Sequence, residues 1–276
     1  MTKPTQKLRQ LLNSGKTLIA PGAFDGLSAR LIEQAGFDCI YGSGGAISRS
    51  AGFPDLGLLS FSEVVERYMQ MVEVTHIPIV ADADTGYGNE MNMRRTIEIY
   101  EKIGLAGCHI EDQSFPKRCG HLDDKSLIPA NEMVLKIKAA CKARKDKDFL
   151  IIARTDAIAV EGFDAAIKRA NDYAAAGADM IFVEAPQTLE QIQMIAQQVK
   201  APKLINMFYG GKTPLVPAND LQKMGYQLVI IPSDLQRAAI RAMQNTLQAI
   251  KKDGDSKSVN DQLASFTERE KIIARD

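Results

Sequence analysis

Short apolar runs rich in β-branched residues recur along the chain, and between them lie longer segments whose apolar positions repeat every three to four residues. The runs at 17–20, 39–43, 77–82, 107–111, 149–154, 180–184, 203–206 and 228–231 read as strands. The segments at 26–35, 62–73, 92–103, 131–142, 163–176, 189–199 and 219–224 read as helices. Several of them close on Ala-Gly or Ile-Gly, which puts Gly36, Gly104 and Gly177 where a left-handed cap turns the chain toward the next strand. Pro78 and Pro202 stand before or at strand starts, where a missing backbone donor does least harm. Regular alternation of strand and helix predicts a parallel sheet with crossover helices, and eight strands close it into a (β/α)8 TIM-type barrel. An open doubly wound sheet is the alternative, but no Gly-x-Gly-x-x-Gly follows the first strand. The predicted barrel domain is 1–250. The polar stretch at 251–258 and the weakly amphipathic 259–274 make 251–276 a linker with a helical tail.

The length of 276 residues suits one such barrel, and 45% hydrophobic with 25% charged residues is enough for a sizeable core. Lys plus Arg and Asp plus Glu are 34 each, so no net field draws nucleic acid or an anionic membrane. The polar N-terminus has no signal-peptide core and no run of 18 apolar residues occurs, so neither export nor a membrane span is expected. Cys39, Cys108, Cys119 and Cys141 have no zinc-site or CxxC spacing, which points to a reducing cytoplasm.

A closed α/β barrel carries its chemistry at the C-terminal ends of its strands. Those ends read Ser43-Gly44-Gly45, Asp82-Ala83-Asp84, Glu111-Asp112, Arg154-Thr155-Asp156, Glu184 and Asn206. Asp82 and Asp84 share one side of an extended backbone, with Glu111 on the neighbouring strand. Such hard oxygens suit Mg²⁺ or Mn²⁺, and Mg²⁺ keeps several waters and takes one or two carboxylates directly. In isolation Asp-x-Asp reads rather as a pair of turn or capping aspartates; its place at a strand end beside Glu111 reverses this in favour of metal. Ser43-Gly44-Gly45 offers either an anion cradle of bare N–H groups or a tight turn. After the fourth strand comes Lys117-Arg118-Cys119-Gly120-His121, where flanking cations are expected to depress the Cys119 pKa and make it a usable acid, base or nucleophile. The bland alternative is a loop cysteine among solvated cations. Cys39 and Cys108 read as inert core, Cys141 as a small buried hydrophobe and His109 as a satisfied core histidine; His76 lies at the wrong end of the barrel.

The ordered set Ser43-Gly44-Gly45, Gly52-x-Pro54-Asp55, Asp82-Ala83-Asp84-x-Gly86-Tyr87-Gly88, Ile110-Glu111-Asp112-Gln113, Lys117 to His121 and Ala153-Arg154-Thr155-Asp156 resembles the isocitrate lyase and phosphoenolpyruvate mutase superfamily over about residues 8–250. Within it the 2-methylisocitrate and 2,3-dimethylmalate lyases look most similar. The resemblance implies a homotetramer, a dimer of dimers that exchange the last helix, with Mg²⁺, or Mn²⁺ in its place, at the mouth. It implies metal carboxylates at Asp82 and Asp84, and holders of metal-bound water at Asp55 and Glu111. Substrate contacts fall on Ser43, Gly44, Gly45, Gly120, Arg154, Glu184 and Asn206, and the catalytic cysteine on Cys119, kept poised by Lys117 and Arg118 in a loop ending at His121.

The implied activity is cleavage of a 2-hydroxy di- or tricarboxylate to pyruvate or another 2-oxo acid plus a second carboxylate, with no nucleic-acid or membrane partner. After Asn206 the chain reads Met207-Phe208-Tyr209-Gly210-Gly211-Lys212-Thr213-Pro214, which looks more like the dimethylmalate branch. Against that, Arg237 aligns with an arginine that the methylisocitrate enzymes use for an extra carboxylate, while the longer C-terminal extension of those enzymes is not matched. Phe208 and Tyr209 read either as pocket wall or as packing. Oxaloacetate decarboxylase or hydrolase and phosphonopyruvate-type mutase or hydrolase activities share the scaffold, and the cysteine loop weighs against them. A barrel that binds carboxylates without turnover is disfavoured by the cost of buried carboxylates that do no work.

Overall fold

The computed structural model describes residues 2–122 and 124–274. Its strands are β1 Leu18–Ala23, β2 Ile40–Gly42, β3 Ile79–Asp82, β4 Gly107–Glu111, β5 Leu150–Thr155, β6 Met180–Val183, β7 Lys203–Asn206 and β8 Leu228–Ile231. They pair in chain order, all parallel, and β8 returns to β1 in the register Leu18↔Leu228. The (β/α)8 barrel expected from the periodicity is therefore the fold. The largest departure among the strands is β1, which runs on through Pro21-Gly22, a pair that reads as a turn in sequence. Gly22 permits it, because a side chain there would collide with the backbone of Pro232.

The helices are α1 Pro4–Leu12, α2 Gly26–Gln34, α3 Gly44–Ser50, α4 Phe61–Val74, α5 Glu90–Lys102, α6 Ala130–Ala143, α7 Ala157–Val160, α8 Phe163–Ala175, α9 Leu189–Gln198, α10 Ala218–Met224, α11 Asp234–Asp253 and α12 Phe266–Ile273. Asp25, Ser60 and Asn89 cap α2, α4 and α5 through reciprocal side-chain and backbone bonds with the third helical residue. Four helices escape the sequence reading: α1, α3, α7 and α11. The stretch that reads as a linker from 251 is still helix to Asp253, where Gly254 at φ 80° ends it. A 3-10 turn at Lys257–Gln262 then leads to α12, whose last carbonyls receive Arg30 and Gln34 of α2.

Two cores follow from strand alternation. Along β5, Ile151 and Ala153 face the helices, whereas Leu150 and Ile152 fill the barrel. Leu8 of α1, fully buried, seals the barrel floor. The next inward position on β5 is Arg154, so the barrel interior turns from apolar to charged at its C-terminal mouth. Among the described residues no helix is long and apolar enough to cross a membrane.

Candidate active site

A cavity of about 260 Å³ opens at that mouth. Of the catalytic, substrate and metal residues expected from sequence, all but Gly44, Asp84 and Glu111 border it, while Tyr209, read as either wall or packing, is 71% exposed and does not. Those three lie directly behind the wall: Gly44 backs onto the Asp82 carboxylate, Asp84 pairs with Lys117, and Glu111 pairs with Arg154 at 3.1 Å.

The acidic side of the cavity is built on β3 and α3. Asp82 Oδ1 accepts the Asp84 N–H at 2.9 Å, and Tyr41 Oη lies 3.3 Å from Asp82 Oδ2. Ser43-Gly44-Gly45 is not an open cradle but the start of α3, with Ser43 Oγ accepting the Ala46 N–H. The two glycines serve close approach: a Cβ on Gly44 would sit 2.8 Å from Asp82 Oδ2, and one on Gly45 2.6 Å from Asp55 Oδ2. Lys117 Nζ lies 2.7 Å from Asp84 Oδ1 and also bonds Asp55. Burial pushes the Asp82 and Asp84 carboxyls up while Lys117 pulls them back, and burial pushes Glu111 well up. Burial would lower Lys117, but Asp84, Asp55 and Glu111 raise it well above the ordinary lysine value, so it stays cationic.

This donor set fits a hard divalent cation. Glu111 Oε1 is buried without a hydrogen bond, Asp84 Oδ1 has only the Lys117 ammonium beside it, and every donor is oxygen. Among the described residues no group of three His, Cys, Asp or Glu side chains is arranged to hold a metal by itself. A cation taking Asp82 and Asp84 and filling its other positions with water needs no such group.

The cysteine loop is stitched at its base and clasped at its tip. Gln113 Nε2 donates to the Arg118 carbonyl at 2.8 Å, the Arg118 N–H returns to Gln113 Oε1 at 2.9 Å, and Ser114 N–H reaches the Ser126 carbonyl at 2.8 Å. His121 Nδ1 accepts the Lys212 N–H at 2.9 Å, which leaves its proton on Nε2, 2.7 Å from Glu184 Oε1. The expected depression of the Cys119 pKa is corrected: burial and then Asp55 push the thiol up. The cations meant to stabilise a thiolate are directed elsewhere. Lys117 serves Asp55 and Asp84, and Arg118 is exposed. Cys119 therefore carries its proton at neutral pH.

Facing it, Arg154 binds Asp156 through Nε at 2.9 Å and Nη2 at 3.1 Å and stands 5.2 Å over the Phe182 ring. Burial opposes ionisation of Asp156, but Arg154 and Lys125 outweigh it and hold the carboxyl at about 2. Burial likewise opposes Glu184, and Arg154 with His121 lowers it. Asn206 Nδ2 lies 3.4 Å from Glu184 Oε1. His109, fully buried with Nε2 2.8 Å from Tyr41 Oη, is lowered to about 3 by burial and Arg154; it is a neutral core histidine, but only half satisfied, since its Nδ1 is buried without a partner.

Tyr41, Phe182 and Lys125 are site residues that sequence reasoning missed. Parity would have found two of them, since Tyr41 shares its side with Ser43 and Phe182 with Glu184. The cavity thus combines a carboxylate cluster for a cation, a buried guanidinium for an anion and a protonated thiol.

Residues 8–251 match the phosphoenolpyruvate phosphomutase family. The chain is 41% identical to 2,3-dimethylmalate lyase of Eubacterium barkeri over 263 residues, 95% of this chain and 91% of that one. It is 42% identical to 2-methylisocitrate lyase of Aeropyrum pernix over 268 residues, 97% and 86% of the two chains. A solved phosphonopyruvate hydrolase in complex with oxalate and Mg²⁺ superposes with a TM-score of 0.90 at 33% identity, covering 98% of this chain and 95% of that one.

Proposed function

The chain belongs to the phosphoenolpyruvate phosphomutase family, and from that premise we propose that it is a carbon–carbon lyase releasing a 2-oxo acid from a 2-hydroxy di- or tricarboxylate of the 2,3-dimethylmalate or 2-methylisocitrate type. The observation that carries this reading is that Cys119 shares one cavity with Arg154 and Asp82, its thiol pushed up by burial. Breaking the C2–C3 bond leaves a carbanion beside a carboxylate, and that fragment needs a cation to hold its charge and an acid to quench it.

Asp82 and Asp84 would hold a divalent cation, with Asp55 and Glu111 in reach of its waters; Mg²⁺ is favoured by the oxygen donors and by the phosphonopyruvate hydrolase complex. Such an ion, when bound, supplies Lewis-acid polarisation of the substrate's 2-oxygen. The chain's own residues do the rest. Arg154, kept cationic by Asp156, Glu111 and Glu184 against the pull of burial, receives the carboxylate of the departing fragment. As the C2–C3 bond breaks, the 2-hydroxyl proton passes to a carboxylate of the acidic cluster that borders the cavity, and Cys119 Sγ delivers its own proton to the carbanion carbon. Ser43 and Asn206 offer neutral hydrogen bonds that orient the acid, and the loop segment from Lys117 to His121 covers the cavity and excludes water.

The test is incubation with Mg²⁺ and 2,3-dimethylmalate, 2-methylisocitrate and related alkylmalates while 2-oxo acid is assayed. Release from at least one is expected, and release from none sinks the reading. Turnover of phosphonopyruvate or oxaloacetate instead would favour a hydrolase.

The assembly we propose is a tetramer of helix-exchanging dimers. Its support is the apolar stripe on α11, where Ile240, Met243, Leu247 and Ile250 are 39%, 57%, 65% and 44% exposed. A monomer by light scattering would exclude it. A reducing cytoplasm is the compartment that fits four free cysteines.

A further inference from the structure

Lys125 follows the cysteine loop and is buried to the tip, its side chain 1% exposed. Its ammonium has two partners on opposite sides of a potential opening. One is Asp156 Oδ1 at 2.9 Å, and the other is the Gly120 carbonyl, one residue from Cys119. Asp156 belongs to the rigid barrel: its N–H donates to Asp112 Oδ1 at 2.9 Å, and Asp112 Oδ2 is in turn held by Thr155 and Tyr173, each at 2.8 Å. Gly120 belongs to the loop and lies where the loop meets the site, since a side chain there would collide with Arg154 and Glu184.

We propose that Lys125 is a positioning residue that ties the Gly120 carbonyl to Asp156 and so holds the cysteine loop shut over Arg154. Its physical basis is the cost of leaving a buried ammonium poorly paired. With the loop closed, Lys125 has an anion and a carbonyl. With the loop lifted, it loses the carbonyl and remains beside Asp156, whose charge Arg154 already shares. The same carboxylate therefore serves both the guanidinium that receives substrate and the ammonium that seats the thiol. Movement of Gly120 would displace Cys119 directly, so the latch sets where the proton donor stands. The role in turnover rests on the lyase reading; the latch itself does not.

The test uses thiol access, which needs no substrate. Cys39 and Cys108 are fully buried, so in a Cys141→Ser background iodoacetamide reports on Cys119. In that background Lys125→Met is expected to raise the alkylation rate about tenfold or more, and to speed tryptic cleavage at Arg118, with an unchanged circular dichroism spectrum. Lys125→Arg, which keeps the charge and the donors, is expected to return the rate to within about threefold of the parent. With an active substrate, Lys125→Met should lower kcat more than it raises KM, because a misplaced donor harms the proton step. Equal alkylation in folded Lys125→Met and parent protein would overturn the latch. If Lys125→Met does not fold, Lys125→Gln takes its place, and the same comparison decides. Loop opening without lyase turnover of any acid would sink the lyase reading and leave the latch standing.

Discussion

Lys117 Nζ lies 2.7 Å from Asp84 Oδ1, so a lysine of the cysteine loop sits inside the acidic cluster that suits a divalent cation. Two cations then compete for one set of carboxylates. Lys117→Met removes one of them and leaves Asp84 and Asp55, whose side chains are 17% and 9% exposed, without their partner. Breaking such a buried pair costs about 3–5 kcal/mol. In EDTA the variant is expected to melt roughly 5–15 °C below the parent. Added Mg²⁺ should recover more of the melting temperature in the variant than it adds to the parent. Differential scanning fluorimetry with and without Mg²⁺ measures both, and an equal Mg²⁺ response in the two proteins would speak against a shared cluster.

Cys119 is placed to give a proton, and its protonation state can be read directly. Burial and Asp55 raise the thiol above the ordinary range, so the thiolate fraction at pH 7 is small and grows with pH. Alkylation of Cys119 in a Cys141→Ser background is therefore expected to climb about tenfold per pH unit from 7 to 9. A rate already on its plateau at pH 7 would mean a depressed thiol and a nucleophile or base instead. Cys119→Ser should lower kcat by about 10²-fold or more, the range of a lost general acid, while leaving KM nearly unchanged.

Much of this architecture is written in local patterns. Strands β7 and β8 are legible to the residue, because each is a short apolar run bounded by polar turns. The carboxylates Asp82, Asp84 and Glu111 are legible as strand-end residues, since strand parity and barrel polarity are properties of the backbone. What local pattern does not carry is partner choice. The cations around Cys119 suggest a thiolate only if they point at it, and Lys117 instead crosses to Asp55. The Ser43-Gly44-Gly45 turn becomes a helix because its glycines admit carboxylates from β3 and from the loop after α3, contacts that no window of sequence contains. Helix α11 escapes for a related reason. Its pattern is present, since Ile240, Met243, Leu247 and Ile250 keep helical spacing, but the stripe they form is exposed instead of packed on its own barrel.

His109 predicts how the protein responds to acid. Its folded pKa is lowered to about 3 by burial and Arg154, whereas in the unfolded chain it titrates near the ordinary value of about 6.5. Between those values the unfolded state binds the extra proton. Stability contributed by this group is thus complete above about pH 6.5 and is lost as pH falls toward 3, by at most about 1.4 kcal/mol per unit. Urea unfolding at pH 4, 5, 6 and 7 should show this slope in the parent. His109→Gln is expected to be less stable at pH 7 but to lose less on acidification. Parallel curves would mean that the folded protein accommodates a charged His109.

The choice of acid is testable at Arg237. This residue of α11 borders the cavity, and its Nη1 donates to the Tyr209 carbonyl and stands 3.4 Å from Asp234 Oδ1. Its side chain is 49% exposed, so the Asp234 pair is weakly held and the guanidinium has capacity for a further anion. In the same cavity, Phe208 meets His121 edge-on at 4.6 Å, an apolar wall that offers a third carboxylate nothing. A tricarboxylate needs a cation on this side of the cavity; a dicarboxylate does not. If 2-methylisocitrate is a substrate, Arg237→Met should lower its kcat/KM by about 10- to 100-fold, the worth of a charged hydrogen bond, while 2,3-dimethylmalate changes by less than about threefold. Phe208→Ala should do the reverse, raising KM for the dicarboxylate by removing the wall that packs its alkyl group. An equal loss for both acids in Arg237→Met would assign the arginine to holding the Tyr209 segment through its carbonyl, and selection between the acids would then fall to Phe208 and the His121 ring it packs against.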